Sequence, residues 1–233
     1  MRLFNKTQCI YCTELASTKE HVPPKVLLEK PFPPNLITFP ACAACNRSFS
    51  LDEEYLLVLL SQIGTCLSLE NKIAEGGCVD RALKSSPRLD ERIIRSLKTG
   101  DDGVVYIVPE HQRVNRILGK IALGLYVKRY SRVPDLDDFK PLGMFPYNIK
   151  DLRPAPIFIS TYAERFYTKR WKAIQQGVFS YIFVREPSSG GRLLCIMDFH
   201  ATAWGVISVP LTSPSSKEKN LQRKLQPELA LEF

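Results

Sequence analysis

Two Cys-x-x-Cys pairs place the strongest constraint on how this chain can fold. Cys9 and Cys12 form the first pair, Cys42 and Cys45 form the second, and 29 residues separate the pairs. Four thiolates at about 2.3 Å from one ion suit tetrahedral Zn²⁺ and leave no open coordination position. The alternative is a set of redox or incidental cysteines, but two correctly spaced pairs are much more specific for metal than one. The sequence therefore predicts a structural zinc site.

Length and composition are those of an ordinary globular protein. The chain has 233 residues, of which 45% are hydrophobic and 24% charged. No apolar run approaches the roughly 18 residues that suggest a membrane span. The N-terminal segment MRLFNKTQ does not resemble a signal peptide, and seven cysteines, an odd number, argue against a secreted disulfide framework. We expect a cytoplasmic protein with no membrane partner.

The positive charge is concentrated after residue 60. The first 60 residues contain six Lys/Arg and six acids, so the net charge of +8 comes entirely from the rest of the chain. Cations and aromatics interleave in two segments, 126–132 and 163–172, which is a pattern suited to nucleic acid. A solvated basic face is the alternative. The candidate phosphate contacts are Lys128, Arg129, Arg132, Lys169, Arg170 and Lys172.

Periodicity predicts both helices and strands. Helices are expected at 51–64, where Ser50 and Glu53 have capping-box spacing, at 89–98, and around an apolar stripe within 114–126. Asp52, like Glu53, is assigned to capping of the first helix. Strands are expected at 103–109, 155–161, 177–186 and 192–210, with a hairpin turn at 188–191.

These elements define an α+β chain with a small cysteine-rich head and a larger body of helices and antiparallel sheet. The head is predicted to span residues 1–63, and the body residues 64–211. Residues 212–233 are expected to form a polar, flexible tail.

A second cluster of polar residues lies close to the cysteine pairs. Glu20 and His21 are adjacent and precede two prolines, while Asn46 directly follows the last cysteine of the pairs. Closing the two pairs on one ion would bring these residues together. In-line cleavage of a phosphodiester needs a base and a divalent cation, and a neutral imidazole is a suitable base near pH 7. Carboxylate and amide oxygens suit Mg²⁺ or Mn²⁺.

The order of these motifs resembles the HNH endonucleases, also called ββα-metal or His-Me finger nucleases. The resemblance covers residues 9–55, under a quarter of the chain. Its matching segments are Cys9-x-x-Cys12, Glu20-His21-x-x-Pro24, Asn35-Leu36 and Cys42-x-x-Cys45-Asn46.

The resemblance implies a ββα-metal head and a role for each matching residue. His21 would be the general base, Glu20 and Asn46 would bind a catalytic Mg²⁺ or Mn²⁺, and Asn35 would brace the loop that orients His21. The four cysteines would hold a structural Zn²⁺. The implied substrate is nucleic acid, with DNA favoured over RNA, in a restriction, phage-defence or mobile-element system. A homodimer or a partner protein is also compatible with the sequence.

The chain departs from the family pattern at three positions. Glu20 stands where Asp is more usual, and Asn46 where many members have His. Phe49 replaces a lysine that is often found three residues after that position, so Arg47 becomes the nearest candidate phosphate contact.

Two alternatives come from other classes of protein. One is a non-catalytic, treble-clef-like zinc module that binds nucleic acid or a protein. The other is an enzyme whose active site lies in the body, although no catalytic constellation is recognisable there. His111 and His200 have no partner motif and are not assigned to a site.

Overall fold

The structure is a computed structural model. It describes residues 1–63, 75–101, 103, 105–146, 171–186 and 191–211. Several sequence predictions lie outside these ranges. They concern the strand at 155–161, most of the hairpin turn at 188–191, the tail, and the candidate contacts Lys169 and Arg170. None of the described helices combines the length and apolar character needed to cross a bilayer.

The N-terminal part is a β-hairpin followed at once by a long helix. A short strand, β1 (Arg2–Leu3), comes first. Strands β2 (Thr18–Val22) and β3 (Ile37–Ala41) then pair antiparallel, and a 3₁₀ turn at Lys25–Leu27 lies in the loop between them. Helix α1 (Ala43–Ile63) starts directly after Cys42. Its apolar run from residue 55 to residue 60 is buried, and this burial anchors the helix in the core.

The predicted N-terminus of α1 is wrong by eight residues. Ser50 lies inside the helix and its hydroxyl donates to the carbonyl of Arg47 (2.9 Å), so it is not an N-cap. Asp52 and Glu53 accordingly lie in the middle of α1, and their assignment to capping is also wrong. The cysteine pair at 42 and 45 occupies the helix start instead, and a capping-box pattern alone could not reveal this.

The remaining elements form the predicted mixture of helices and antiparallel sheet. In the described part of the chain, three helices follow α1: α2 (Cys78–Ser85), α3 (Pro87–Ser96) and α4 (His111–Tyr130). Two short pairings involve β4 (Leu97–Thr99) with β5 (Val105–Ile107), and β1 with β6 (Arg132–Val133). A 3₁₀ turn at Leu136–Asp138 leads into the main sheet.

Over the described ranges, the main sheet has five strands in the order β7-β11-β10-β9-β8, and all neighbours are antiparallel. Its strands are β7 (Lys140–Pro146), β8 (Lys172–Gln175), β9 (Phe179–Arg185), β10 (Arg192–Phe199) and β11 (Ala203–Pro210). The predicted strand at 192–210 is therefore two strands. The chain reverses at His200 and Ala201, whose φ values are 55° and 50°. Asp198 closes the turn, since its Oδ1 accepts from the backbone N–H of Ala201 (3.1 Å), and this aspartate is the one turn signal that the sequence carries here.

Helix α4 is the central element of the fold. It is buried between β2 on one side and the main sheet on the other. Two glycines allow close approach: a Cβ at Gly124 would collide with Val22 of β2, and a Cβ at Gly205 of β11 would collide with Leu118 of α4. One hydrophobic cluster thus contains side chains from both the cysteine-rich part and the body. The domain boundary at 63/64 stays a prediction.

Candidate functional site

The four predicted cysteines come together in space. Their sulfur atoms all lie within 4.8 Å of one another, and Cys12 Sγ is 3.7 Å from Cys42 Sγ. A tetrahedron of thiolates around Zn²⁺, with bonds of about 2.3 Å, has edges of about 3.8 Å. The four thiols are free rather than joined in disulfides. The cluster could therefore hold a structural metal such as zinc.

Neighbouring groups hold both cysteine pairs in place. The guanidinium of Arg2 donates to the carbonyl oxygens of Cys9 (2.6 Å) and Cys12 (2.9 Å), which fixes the first loop. In the second pair, the N–H of Cys45 donates to Cys42 Sγ (3.4 Å), and this hydrogen bond lowers the pKa of Cys42 to about 7. Burial raises the pKa of Cys45. A cation among the four sulfurs would favour all four thiolates.

The alternation of side chains along β2 separates the two adjacent residues Glu20 and His21. Thr18, Glu20 and Val22 share the face that packs towards the helices, whereas His21 lies on the opposite face. Glu20 is only 4% exposed and His21 is partly buried. Within the described residues β2 pairs with β3 alone, so its other edge is open.

Glu20 belongs to a buried cluster of charges. Lys120 of α4 is 1% exposed, and its Nζ lies 3.0 Å from Glu20 Oε1. The same ammonium also contacts Glu53 Oε1 of α1. Glu20 Oε1 also accepts a hydrogen bond from the backbone N–H of His21 (2.9 Å). Three elements, β2, α1 and α4, thus meet at one lysine.

One oxygen of this cluster is left without a partner. Across the described part of the chain, Glu20 Oε2 is buried and has no hydrogen-bond partner, and the same holds for the hydroxyl of Tyr11. Buried polar atoms are nearly always paired, with protein, water or an ion. An unpaired carboxylate oxygen at this place is the kind of atom that a cation would satisfy.

The electrostatic environment shifts three pKa values in this region. Burial lowers the pKa of His21, and the positive charges of Lys25 and Lys120 lower it further. Burial also raises the pKa of Glu53, although Lys120 opposes this effect. The pKa of Tyr11 is well above its usual value because of burial and the carboxylates of Glu20 and Glu53. The imidazole of His21 is therefore neutral over a wider pH range than usual.

Asn46 lies on the same side of β2 as Glu20. Its side-chain N–H donates to Thr18 Oγ1 (3.1 Å). Thr18 and Glu20 are two residues apart on one face of the strand, a separation of about 7 Å. On α1, Asn46 and Glu53 are seven residues apart and share a helix face. Asn46 therefore lies on the face of β2 that carries Glu20, two residues along the strand from it.

The remaining predicted site residues are more scattered. Asn35 is exposed in the turn before β3, and in the ranges that the structure describes its side chain makes no hydrogen bond, so its bracing role stays a prediction. Arg47 is exposed near the start of α1.

The candidate phosphate contacts of the body lie on different elements. Lys128 and Arg129 are exposed at the end of α4, and Arg129 stacks on the Tyr130 and Phe183 rings at 5.4 and 5.5 Å. Two further candidates occupy short or edge positions: Arg132 in β6 and Lys172 in β8.

Sequence reasoning missed Lys120 and misassigned Glu53. The available signal was a lysine in the middle of the apolar run 117–125, because an ionisable residue at such a position must be buried with a partner. Asp52, like Glu53, was assigned to helix capping, but it forms ion pairs with α4 instead: its two oxygens bind Arg113 and Arg116.

Comparison with known proteins found no matching family model, no matching curated protein and no matching solved structure.

Proposed function

We propose that this chain is a metal-dependent HNH-type endonuclease that hydrolyses phosphodiester bonds of nucleic acid, with DNA favoured over RNA. The observation that carries the proposal is the buried Oε2 of Glu20, which has no hydrogen-bond partner among the described residues. Glu20 precedes His21 in the sequence and shares a face of β2 with Thr18, to which Asn46 is hydrogen-bonded. The four-cysteine cluster holds Zn²⁺ and fixes the start of α1, and hence the position of Asn46.

The donor set fits a hard divalent cation. Glu20 Oε2 and the amide oxygen of Asn46 are oxygen donors, which Mg²⁺ and Mn²⁺ prefer. The amide N–H of Asn46 is already bound to Thr18 Oγ1, which leaves its oxygen available. When bound, the cation would supply charge stabilisation for the phosphate and the leaving oxygen.

His21 acts as the base on the attacking water. Its side chain lies on the face of β2 opposite Glu20, so the base and the cation ligand would act from opposite faces of one strand. The imidazole accepts the proton of the water as its oxygen attacks phosphorus, and the leaving oxygen departs in line. The carboxyl group of Glu20 is held in place by Lys120 and by the N–H of His21.

Basic residues of the body provide affinity for the nucleic acid. The exposed cations Lys128, Arg129 and Lys172 would contact phosphates. Arg47, exposed one residue after Asn46, would contact a phosphate close to the scissile bond.

A non-catalytic zinc module is the second candidate function. The ion pair between Glu20 and Lys120 favours it, because a buried carboxylate that already has an ammonium partner can serve the fold alone. In this case the cysteine cluster stabilises the hairpin and helix, and the basic surface alone binds nucleic acid or a protein.

The two functions differ in a cleavage assay. Purified zinc-loaded protein is incubated with supercoiled plasmid and with RNA, in Mg²⁺, in Mn²⁺ and in EDTA. The endonuclease should nick plasmid only with a divalent cation, and Asn46→Ala should be nearly inactive while Asn35→Ala is affected less. Binding of plasmid without cleavage under every condition would favour the non-catalytic module.

A further inference from the structure

We propose that Lys120, which the body contributes from α4, is a positioning residue for the catalytic cation. It fixes the carboxylate of Glu20 so that Oε2 faces the cation site. This inference rests on the proposed nuclease function and adds a residue outside the 9–55 region that carries the family resemblance.

The ammonium group of Lys120 is buried and contacts Glu20, Glu53 and the ring of Phe49. Its ammonium has three donors, its side chain is 0% exposed, and it contacts Glu20 and Glu53. The ammonium also lies 4.9 Å from the centre of the Phe49 ring, a favourable cation–π distance. Glu53 therefore balances the charge of Lys120 from α1, while Phe49 closes the remaining side.

The contacts of Glu20 distinguish its two oxygens. Oε1 forms an ion pair with Lys120 Nζ (3.0 Å) and accepts a hydrogen bond from the backbone N–H of His21 (2.9 Å), whereas Oε2 accepts from no group among the described residues. An ion pair and a hydrogen bond on the same oxygen fix the orientation of the carboxylate plane. A carboxylate that binds a cation through one oxygen is commonly held in this way by hydrogen bonds to the other.

A second buried carboxylate, which lies between α1 and α4, is an example of a purely structural ion pair. Asp52 of α1 uses both oxygens: Oδ1 binds Arg113, and Oδ2 binds Arg116 at 2.7 Å. Nothing is left for a ligand. Glu20 differs because it keeps one buried oxygen free, a costly arrangement unless something binds there.

Two opposite effects on cation affinity follow from removing Lys120. Loss of a nearby positive charge would favour the cation, but loss of the fixed carboxylate would disfavour it. Without Lys120, Oε1 of Glu20 keeps only the backbone N–H of His21, so the carboxylate plane is no longer fixed. We expect the loss of this positioning to dominate, with Mn²⁺ affinity lower by about 10- to 100-fold.

The test is Mn²⁺ binding to zinc-loaded protein, measured by titration calorimetry alongside zinc content and plasmid nicking. Lys120→Met keeps the length of the side chain and removes its charge. It should weaken Mn²⁺ binding about 10- to 100-fold, with zinc content unchanged. The matched control, Arg116→Met, breaks an ion pair between the same helices without touching Glu20 and should bind Mn²⁺ as the wild type does. Glu20→Gln should also lose Mn²⁺ binding, which assigns the measured site to Glu20.

A further variant guards against a failure to fold. Lys120→Met/Glu53→Leu replaces the ion pair with apolar side chains, a change that is often neutral or stabilising at buried ion pairs. This double variant should show the same loss of Mn²⁺ affinity.

Wild-type or tighter Mn²⁺ binding in either Lys120 variant would overturn the proposal. If Mn²⁺ binding behaves as expected but the wild type cleaves no nucleic acid, the positioning role stands and the nuclease function fails. If the wild type cleaves without binding Mn²⁺, the positioning role fails and cleavage stands.

Discussion

Gly124 of α4 packs against Val22 of β2 so closely that a methyl group on Gly124 would overlap both methyl groups of the valine. This contact joins the central helix to the strand that carries Glu20 and His21. It also brings α4 close enough for Lys120, one helical turn earlier, to reach Glu20. The position of the candidate site therefore depends on a glycine in the body of the protein.

Gly124→Ala should destabilise the protein by about 1 to 3 kcal/mol, because Val22 is β-branched and cannot move aside without shifting β2. Gly119→Ala is the matched control in the same helix: a Cβ there meets nothing within 4 Å. That change should stabilise the helix by up to about 1 kcal/mol. Urea unfolding of both variants checks this, and equal stability of the two would contradict the packing described.

Local patterns in the sequence were enough to predict the cysteine cluster and the longer helices, together with some of the strands. The spacing of Cys9, Cys12, Cys42 and Cys45 identified one site, and the four sulfurs do lie together. Periodicity placed α3, α4, β5 and β9 near their observed bounds. These features depend on residues close in sequence, which is the information that patterns contain.

Features that depend on distant residues could not be predicted in the same way. Glu53 and Lys120 are 67 residues apart, and the partner of each becomes visible only when α1 and α4 pack together. The capping-box pattern at Ser50 predicted that α1 starts near residue 51, but the helix starts at Ala43, between the two cysteines of the second pair. The reversal at His200 is closed by the Asp198 side chain, whose Oδ1 accepts from the backbone N–H of Ala201 (3.1 Å), but the continuous β-branched and aromatic run around Asp198 predicted a single strand.

We predict that the protein purifies with about one zinc ion per chain, bound by the four cysteines. Cys45→Ser should lose most of this zinc and loosen the hairpin and the start of α1. Cys78→Ser, which changes a cysteine outside the cluster, should keep the zinc. Elemental analysis together with amide hydrogen exchange of residues 1–63 measures both effects. A metal-free wild type with these amides still protected would show that the cysteines serve another role.

We predict that nucleic-acid binding weakens steeply with salt, because phosphate contacts release counterions. Lys128→Ala/Lys172→Ala removes two exposed cations of the body and should lower the salt slope by about 2. Lys6→Ala/Lys84→Ala removes the same charge elsewhere and serves as the control. Fluorescence anisotropy with a labelled duplex between low and high salt gives the slopes. Identical slopes for the two double variants would exclude Lys128 and Lys172 as phosphate contacts.

The central claim is that His21 performs chemistry on a phosphodiester, and nicking of supercoiled plasmid in Mn²⁺ tests it most directly. His21→Ala should reduce the nicking rate by about 10² to 10⁴, with zinc content and thermal stability unchanged. His111→Ala, which removes an exposed histidine at the start of α4, should nick plasmid at the wild-type rate. Equal nicking by His21→Ala and the wild type, or no nicking by the wild type in any metal, would contradict the nuclease function.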